Sequence, residues 1–357
     1  MPNSFLRGGQ LRAYATYAMV GLSIAAAGTL AAADGPASAD TADRPAGHAA
    51  KREIDTEDHA QYPGLNLIKA GVSTKVVRKQ ATAELPLDRL SPDGLRKSQA
   101  ILKNVGMYRR LPTISFQCEP EVYNYFLKNP DVAVSTWRAM EISQFQLHES
   151  GPNQYRADAG DGSMGTVELL FRSPNETLIY CDGAFKSPLL PKPIVARSLM
   201  RLQTVFVKET DGRITSTHTG DVFVEFPSPA VETVAKVIAP VSHSIADRNF
   251  KQMTLFVHLM SQAIERHPAW IEQIGNKLEG IPATKKLEFI DVTTRISTQA
   301  QRRVVFANGG QKFSPDEVLL PFKQWNVEGG AAKPATEPSG GRTIQTANQT
   351  GGTNAPR

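Results

Sequence analysis

A run of alternating apolar and polar residues between Met164 and Phe226 limits the possible folds of this chain more than any other feature. An alternation of period two is typical of strands that bury one face of a sheet. Within residues 164–172 it places Leu169 and Phe171 on the same, buried face. The pair Asp211-Gly212 is a strong hairpin signal between two such strands. The segment therefore predicts four antiparallel strands, whose apolar face must be covered by another element.

The elements around these strands complete a domain. Residues 228–238 are predicted to form a helix, and a second helical pattern runs from Pro240 to His267. A strand at residues 113–118, two short helices and two more strands precede the alternating run. The sequence thus predicts an α+β fold over residues 112–278. A curved antiparallel sheet of six to seven strands would pack around a long C-terminal helix.

The first 39 residues have the pattern of an export signal. Arg7 and Arg12 precede an apolar stretch of small residues at 18–33, and Ala37-Ser38-Ala39 follows as a cleavage site. The apolar stretch is short and poor in Leu, Ile and Phe, which disfavours a membrane span. We therefore expect a cleaved signal peptide over residues 1–39 and a periplasmic or cell-envelope location. A retained membrane anchor is the alternative.

The remaining terminal segments do not resemble a packed domain. Residues 40–62 are rich in Ala, Asp, Gly and Pro and predict a disordered linker. Residues 279–326 form a C-terminal extension, in which Lys286–Phe306 has the pattern of either a helix or a strand. Residues 327–357 are small and polar, and they predict a disordered tail.

An N-terminal extension at residues 63–111 is basic and contains one short helix, opened by Ser91-Pro92. It carries ten basic residues against three acidic ones. The ten are Lys69, Lys75, Arg78, Lys79, Arg89, Arg96, Lys97, Lys103, Arg109 and Arg110. One interpretation is a surface that binds an anionic membrane or an acidic envelope polymer. The other is a solvated basic face beside the domain. A formal net charge of +5 is too small to indicate nucleic-acid binding.

Catalytic and cofactor motifs are missing from the sequence. We find no Ser-His-Asp order, no pair of carboxylates in a catalytic motif and no Gly-rich phosphate loop. The histidines do not recur at the spacing of metal ligands, and two cysteines cannot form a Cys-based metal cage. The sequence therefore predicts no cofactor, no metal site and no catalytic residue that a motif would identify.

The order of elements resembles the START-like helix-grip superfamily, which includes lipid-transfer START domains, polyketide cyclases and the coenzyme-Q-binding family. The resemblance covers about residues 112–267 and includes a local similarity after the first strand. Its residues are Glu119, Pro120, Glu121, Val122, Tyr123, Phe126, Leu127, Asn129, Pro130 and Trp137. The resemblance implies a hydrophobic cavity between the sheet and the last helix. The connection at residues 186–195 is long for this family and predicts a lid over the cavity mouth.

A second resemblance is to periplasmic lipoprotein carriers of the LolA type, which also wrap an open antiparallel sheet around helices. Those proteins begin with a helix that leads directly into many strands, so the early strand at 113–118 favours the helix-grip family. In the helix-grip order, Cys118 and Cys181 lie on strands separated by two others, about 14 Å apart. A disulfide needs a much shorter separation. The resemblance therefore implies two buried thiols.

The alternation of the strands and the helical pattern predict the inward-facing side chains that would line such a cavity. These are Trp137, Phe145, Tyr155, Leu169, Phe171, Leu202, Phe206, His218, Val222, Phe256 and Met260. A mixture of aromatic residues and Met suits an adaptable cavity, but the same pattern is typical of a solid core. His218 is a candidate to hold a ligand or to act as a general base. Alternatively, neighbouring side chains satisfy its hydrogen bonds.

Three functions are compatible with these features. We favour an exported carrier or sensor that binds a hydrophobic small molecule, such as a lipid, an isoprenoid or a polyketide, in the cavity. The second is a cavity enzyme of the polyketide cyclase type that uses His218. The third is a structural cell-envelope protein whose basic segment binds an anionic surface.

Overall fold

A computed structural model describes residues 62–185, 193–210 and 212–308, with the backbone alone for residues 185, 229–241 and 304–308. The predicted signal peptide, nearly all of the linker, most of the predicted lid and the C-terminal tail lie outside these residues. The elements in chain order are β1 (Leu65–Lys69), α1 (Lys75–Ala83), a 3-10 turn (Leu87–Arg89), α2 (Pro92–Lys103), β2 (Met107–Arg110), β3 (Thr113–Gln117), α3 (Pro120–Lys128), α4 (Pro130–Ala139), β4 (Gln146–Gly151), β5 (Gln154–Asp158), β6 (Met164–Arg172), β7 (Glu176–Phe185), β8 (Ile194–Lys208), β9 (Ile214–Glu225), α5 (Pro229–Arg266), α6 (Pro268–Lys277) and α7 (Ala283–Asn308).

The predicted fold class is confirmed. Every strand pair in the described part of the chain is antiparallel, and the strands lie in the order β1-β3-β9-β8-β7-β6-β5-β4. Strand β2 pairs with β9 beyond the end of β3. The sheet has nine strands rather than six to seven, because the N-terminal extension contributes β1 and β2. The C-terminal extension forms helix α7, which settles the open choice between helix and strand at Lys286–Phe306.

The first face of the sheet packs against α3, α4, α5, α6 and α7, and these elements share the larger hydrophobic core. Helix α5 is 38 residues long and continues through Pro240, where the sequence suggests two helical stretches. Its apolar side packs against the sheet. Phe256 and Met260 are completely buried there. This arrangement agrees with the prediction of a long helix covering the strands.

The second face of the sheet has a core of its own, which the alternating pattern does not reveal. Helices α1 and α2 cover it, with Ala81 and Ile101 fully buried. Below them lie Leu178, Leu199 and Phe223 on the three central strands, each at 0% exposure. The basic N-terminal extension is therefore packed onto the sheet. Ser91 caps α2 as its sequence predicts, since its Oγ accepts a hydrogen bond from Gly94 N at 3.1 Å.

Phe171 belongs to this second core, which corrects its assignment to the first face. In the pairing of β6 with β7, Leu169 lies opposite Ile179 while Phe171 lies opposite Leu178. One extra residue on β6 forms a β-bulge, and a bulge reverses the alternation of the residues that follow it. The Phe171 ring consequently lies under the guanidinium of Arg89, at 4.4 Å from its centroid.

Cys118 and Cys181 are both buried free thiols, as the helix-grip order implies. Strands β9 and β8 lie between the strands that hold them. Burial raises the pKa of the Cys181 thiol to about 12, and it raises the pKa of the Cys118 thiol as well. Both behave as small apolar side chains rather than as nucleophiles. Within the described ranges, no helix is long and apolar enough to span a membrane.

Candidate functional site

Ten of the eleven side chains predicted to line a cavity do lie together, on the first face of the sheet. Eight are buried: Trp137, Phe145, Tyr155, Leu202, His218, Val222, Phe256 and Met260. Leu169 and Phe206 are partly buried against the same core, and Phe171 is the exception described above. The alternation and the helical pattern therefore identify a real cluster of residues.

The side chains at the centre of this cluster pack as a solid core. Phe256 lies with its ring centroid 5.4 Å from those of both Phe126 and Trp137, which are contact distances for aromatic rings. A cavity large enough for a lipid would leave its lining accessible to a water-sized sphere. Phe256 and Met260 have 0% exposure and Trp137 has 3%, so such a cavity does not border them. This part of the predicted site is core.

His218 lies at the centre of a polar chain inside this core. Its Nε2 is 2.8 Å from Thr254 Oγ1 and its Nδ1 is 3.1 Å from Tyr123 Oη. The Tyr123 hydroxyl also accepts a hydrogen bond from Thr204 at 2.6 Å. The imidazole stacks on the Phe250 ring at a centroid distance of 4.5 Å. Both ring nitrogens are engaged, which is how buried polar groups are normally accommodated.

We expect the His218 imidazole to stay neutral throughout the physiological pH range. Burial lowers the pKa of His218 from 6.5 to about 3, so the native chain takes up no proton there between pH 8 and 5. The unfolded chain does take one up near pH 6.5, so the contribution of His218 to stability falls as the pH falls from about 6.5 towards 3. Proton NMR of the ring would check this. A titration with a midpoint near 6.5 would contradict the buried network.

A second candidate site in the described part of the chain lies between β2 and α5. It is a polar cleft with a volume of about 580 Å³, within the range typical of small-molecule sites. Its walls are formed by Tyr62, Arg109, His243, Ser244, Asp247, Arg248 and Lys251. We call it the cationic cleft.

The helical repeat explains why five of these side chains line the cleft together. On a helix, residues four apart lie on the same face. His243, Asp247 and Lys251 follow one another at that spacing on α5, and Ser244 and Arg248 repeat it one position later. The hydrophobic side of α5 packs against the sheet. The polar stripe beside it therefore faces the end of β2 instead of open solvent.

Arg109 reaches the cleft because side chains alternate along β2. The side chain of Tyr108 packs in the second core and its hydroxyl donates to Asp221, whereas Arg109 extends towards α5. There the Arg109 guanidinium makes a two-point ion pair with Asp247. Its Nε donates to Asp247 Oδ1 at 2.9 Å, and its Nη2 donates to Asp247 Oδ2. Such bidentate pairs have a fixed geometry.

The backbone at Gly71 lies close to the guanidinium of Arg109. A Cβ atom added at Gly71 would come within 2.5 Å of the Arg109 guanidinium. Ser73, two residues later, accepts a hydrogen bond from Arg109 Nη1 at 3.3 Å. Its Oγ lies 3.5 Å from each ring nitrogen of His243. The segment between β1 and α1 therefore holds one wall of the cleft in place.

The cleft carries an excess of positive charge. Among the lining residues that the structure describes, Arg109, Arg248 and Lys251 carry three positive charges and Asp247 one negative charge, a formal sum of +2. Burial and the neighbouring Arg109 lower the pKa of His243, an effect that Asp247 partly opposes, so this imidazole is neutral near pH 7. Among the residues that the structure describes, no group of three or more His, Cys, Asp or Glu is arranged to hold a metal ion. The geometry therefore suits an anion.

Tyr62 and Lys251 form one end of the cleft. The Lys251 ammonium lies over the Tyr62 ring at 5.4 Å from its centroid. The Tyr62 side chain is 5% exposed and belongs to the larger core, so it holds the start of the described chain against α5. A cation over an aromatic ring is attracted to the ring without losing its charge.

Several basic side chains of the N-terminal extension at residues 63–111 form contacts within the protein. Arg109 pairs with Asp247 and Arg110 with Asp221, while Arg96 and Lys97 pair with Asp93. Lys97 also donates to Glu168 at 2.6 Å, and Arg89 covers Phe171. Half of the ten basic side chains are therefore engaged in internal contacts. Binding of the segment to an anionic membrane is still a prediction.

Comparisons with known proteins give little beyond this geometry. No protein-family profile matches the sequence, and no curated protein matches it. A conserved protein from Geobacillus kaustophilus has a similar solved structure, with 12% identity, a TM-score of 0.28, and coverage of 40% of this chain and 91% of its own. An uncharacterized protein from Rhizobium leguminosarum shows 11% identity and a TM-score of 0.21, and the match covers 41% of this chain and 95% of that protein. Protein Ms6760 from Mycobacterium smegmatis shows 16% identity and a TM-score of 0.21, and the match covers 40% of this chain and 88% of that protein. Similarity at this level carries no functional argument.

Proposed function

We propose that this chain is a binding protein that holds a small anionic molecule in the cationic cleft. The observation that carries the proposal is the charge of the described walls, where Arg109, Arg248 and Lys251 line a volume of about 580 Å³ together with Asp247. Guanidinium and ammonium groups form their strongest hydrogen bonds with carboxylates, phosphates and sulfates. Arg248 and Lys251 line the cleft beside the Arg109–Asp247 ion pair, with Ser244 and His243 next to them.

Partial enclosure strengthens this preference. Arg109 and Asp247 are only 15% and 19% exposed, so the charges in this part of the cleft are screened less than charges on an open surface. An anion that enters the cleft replaces water around groups whose positions are already fixed by α5 and β2. A pre-organised site loses less entropy on binding than a mobile one. The cleft therefore favours a compact ligand with two or more negative charges.

We also propose that the protein is exported and belongs to the START-like superfamily. The signal-like residues 1–39 support the first statement, and the element order from β3 to α5 supports the second. The hydrophobic carrier that the family resemblance implies is still a prediction. The burial of Phe256 and Met260 gives that prediction no support, and the two hydrogen-bonded nitrogens of His218 give none to a cavity enzyme.

The substitution Lys251→Gln should weaken anion binding about tenfold, the equivalent of ~1.4 kcal/mol. The reason is the loss of one charge-assisted hydrogen bond, which is worth about that much. Calorimetric titration with pyrophosphate and with citrate at low salt would measure the change.

Lys277→Gln is the matched control, because Lys277 is an exposed lysine on α6 that takes no part in the cleft. It removes the same charge from the protein and should leave the affinity unchanged. If both variants lose the same affinity, the anion responds to net charge alone. If neither binds less than the parent protein, the cleft is not the site.

A further inference from the structure

The hairpin of β8 and β9 extends beyond the strand that pairs with its other side. Strand β8 pairs with β9 as far as Lys208, but its pairing with β7 ends at Gln203. The turn between β6 and β7 lies beside Thr204, whose N–H donates to Asn175 O at 2.9 Å. Among the strands that the structure describes, none pairs with this side of β8 after that point. Residues 205–208 therefore form an open sheet edge, which we call the β8 edge.

Two residues of the β8 edge direct their backbone groups outward. Successive residues of a strand point their N–H and C=O groups to opposite sides. The Thr204 N–H points to the β7 side, whereas the Glu209 N–H points to the β9 side and donates to Arg213 O at 2.8 Å. Phe206 and Lys208 share the direction of Thr204. No backbone group of the described chain pairs with them on that side.

The side chains of the β8 edge are apolar as far as Lys208. Val205 and Val207 are 56% and 51% exposed on the second face of the sheet, and Phe206 is partly buried on the first face. Proteins usually protect a sheet edge with charged side chains, bulges or covering elements, because an open edge pairs readily with another strand.

The two outer strands of the sheet have such protection. On β4, Glu149 forms an ion pair with Lys285 of α7 at 3.0 Å. On β1, the register is interrupted between Leu67 and Lys69, and the strand ends in that lysine. The β8 edge has neither a bulge nor a charge before Lys208. Its open backbone therefore suits the addition of another strand.

We propose that the β8 edge pairs with the β8 edge of a second copy of this chain. The two strands run antiparallel about a two-fold axis at Val207, so that Phe206 of each copy lies opposite Lys208 of the other. The outward N–H and C=O groups of these residues then complete the ladder on both sides of the axis. No like charges lie opposite each other, because Lys208 faces Phe206 and Glu209 faces Val205.

The register follows from the structure beside the strand. A pairing centred on Phe206 would bring Lys208 of the second copy opposite Thr204, a place that Asn175 already occupies. A pairing centred on Lys208 would continue into the turn after β8. Centring on Val207 uses both outward-facing residues and avoids the turn. A two-fold contact needs a surface that is complementary to itself, and the apolar centre of the β8 edge meets this condition.

The contact is small, since it joins two short strand segments and the valines beside them. We therefore expect a dimer with a dissociation constant on the order of 10 µM, typical of a transient interface. Sedimentation velocity of the full-length protein between about 1 and about 200 µM should show a shift from monomer to dimer.

The substitution Val207→Lys should raise the dissociation constant at least about tenfold, because two lysines would face each other at the axis. Val195→Lys is the matched control. Val195 is also a valine on the same face of β8 and is 42% exposed, but it lies opposite Ala184 of β7, where the strand is already paired. It adds the same charge and should leave the dissociation constant within about twofold of the parent value.

Val207→Cys tests the register. Residues that face each other in a non-hydrogen-bonded antiparallel pair have Cα atoms about 4.5 Å apart, within the range that a disulfide spans. Under mild oxidation, Val207→Cys should therefore form a covalent dimer, visible on a non-reducing gel. Val195→Cys should stay monomeric on the same gel, because the proposed pairing holds Val195 of the two copies apart.

Each outcome decides the proposal. A dimer that Val207→Lys weakens and Val195→Lys does not, together with the Val207→Cys cross-link, supports it. A parent protein that is still monomeric at about 200 µM overturns it. Association that the two lysine variants weaken equally, or not at all, also overturns it, because another surface is then responsible. A dimer that Val207→Lys weakens while Val207→Cys forms no cross-link contradicts the two-fold pairing at Val207.

Discussion

Replacing Phe256 by Ala should lower the free energy of unfolding by about 3–5 kcal/mol, the usual cost of deleting a fully buried aromatic ring. Phe256 is completely buried on α5, and its ring contacts those of Phe126 and Trp137. These three side chains join α5 to α3 and α4. Loss of the ring would leave a cavity that such neighbours can fill only in part. Urea unfolding monitored by circular dichroism would measure the change.

The comparison for Phe256→Ala is Leu287→Ala on α7. Leu287 is also a large apolar residue on a helix, but it is 68% exposed, so its truncation should change stability by no more than about 0.5 kcal/mol. A cost below about 1 kcal/mol for Phe256→Ala would indicate that the ring borders empty space. That result would restore the hydrophobic cavity that the family resemblance implies.

Replacing Asp221 by Ala should cost a similar amount, about 3–5 kcal/mol, for an electrostatic reason. Asp221 lies on β9 in the second face of the sheet and is 1% exposed. Its carboxylate accepts hydrogen bonds from Tyr108 Oη at 2.6 Å and from Arg110 Nε at 2.8 Å and Nη2 at 3.0 Å. Removing it leaves the partly buried Arg110 without its nearest compensating charge. The same denaturant titration would measure the loss.

Asp93→Ala provides the surface comparison for Asp221→Ala. Asp93 pairs with Arg96 and Lys97 on α2, but its side chain is 51% exposed. Solvent screens exposed pairs of this kind, so Asp93→Ala should cost far less stability than Asp221→Ala. If the two substitutions have equal effects, then the carboxylate of Asp221 is not the buried anchor that holds the N-terminal extension to the sheet.

The elements whose evidence is local could be predicted from the sequence. Strands β8 and β9 alternate clearly and pair with each other, and Gly212 between them has a φ of 85°, a conformation that favours glycine. Helix α5 is long and amphipathic, so its position over the sheet follows from its hydrophobic side. These features depend on residues close together in the chain.

The features that depend on tertiary contacts could not be predicted. The short strand β2 consists of Met107, Tyr108, Arg109 and Arg110, and only its pairing with β9 identifies it as a strand. Its two arginines form ion pairs with aspartates on opposite faces of the sheet. The bulge at Leu169 to Phe171 is a matter of register between two strands. The central strands carry apolar residues on both faces, but the sequence predicts only one buried face. The helices that cover the second face belong to the N-terminal extension, whose sequence is largely polar.

The cationic cleft was missed for a similar reason. His243, Asp247 and Lys251 repeat every four residues on α5, and such a polar stripe is the normal solvent side of an amphipathic helix. Only the arrival of Arg109 from β2 and of Tyr62 from the chain before β1 turns the stripe into a wall. The sequence signal for the cleft is a polar stripe with several basic residues next to the apolar side of a long helix. Many helices without a binding site have such a stripe, so the specificity of the signal is low.

A crystal structure of the full-length protein with pyrophosphate would test the central claim most directly. We expect electron density for the anion between β2 and α5, with its oxygens within hydrogen-bonding distance of Arg248 and Lys251 and with Phe256 and Met260 still packed. Density for a ligand between α5 and the sheet, or an empty cleft at saturating pyrophosphate, would contradict it.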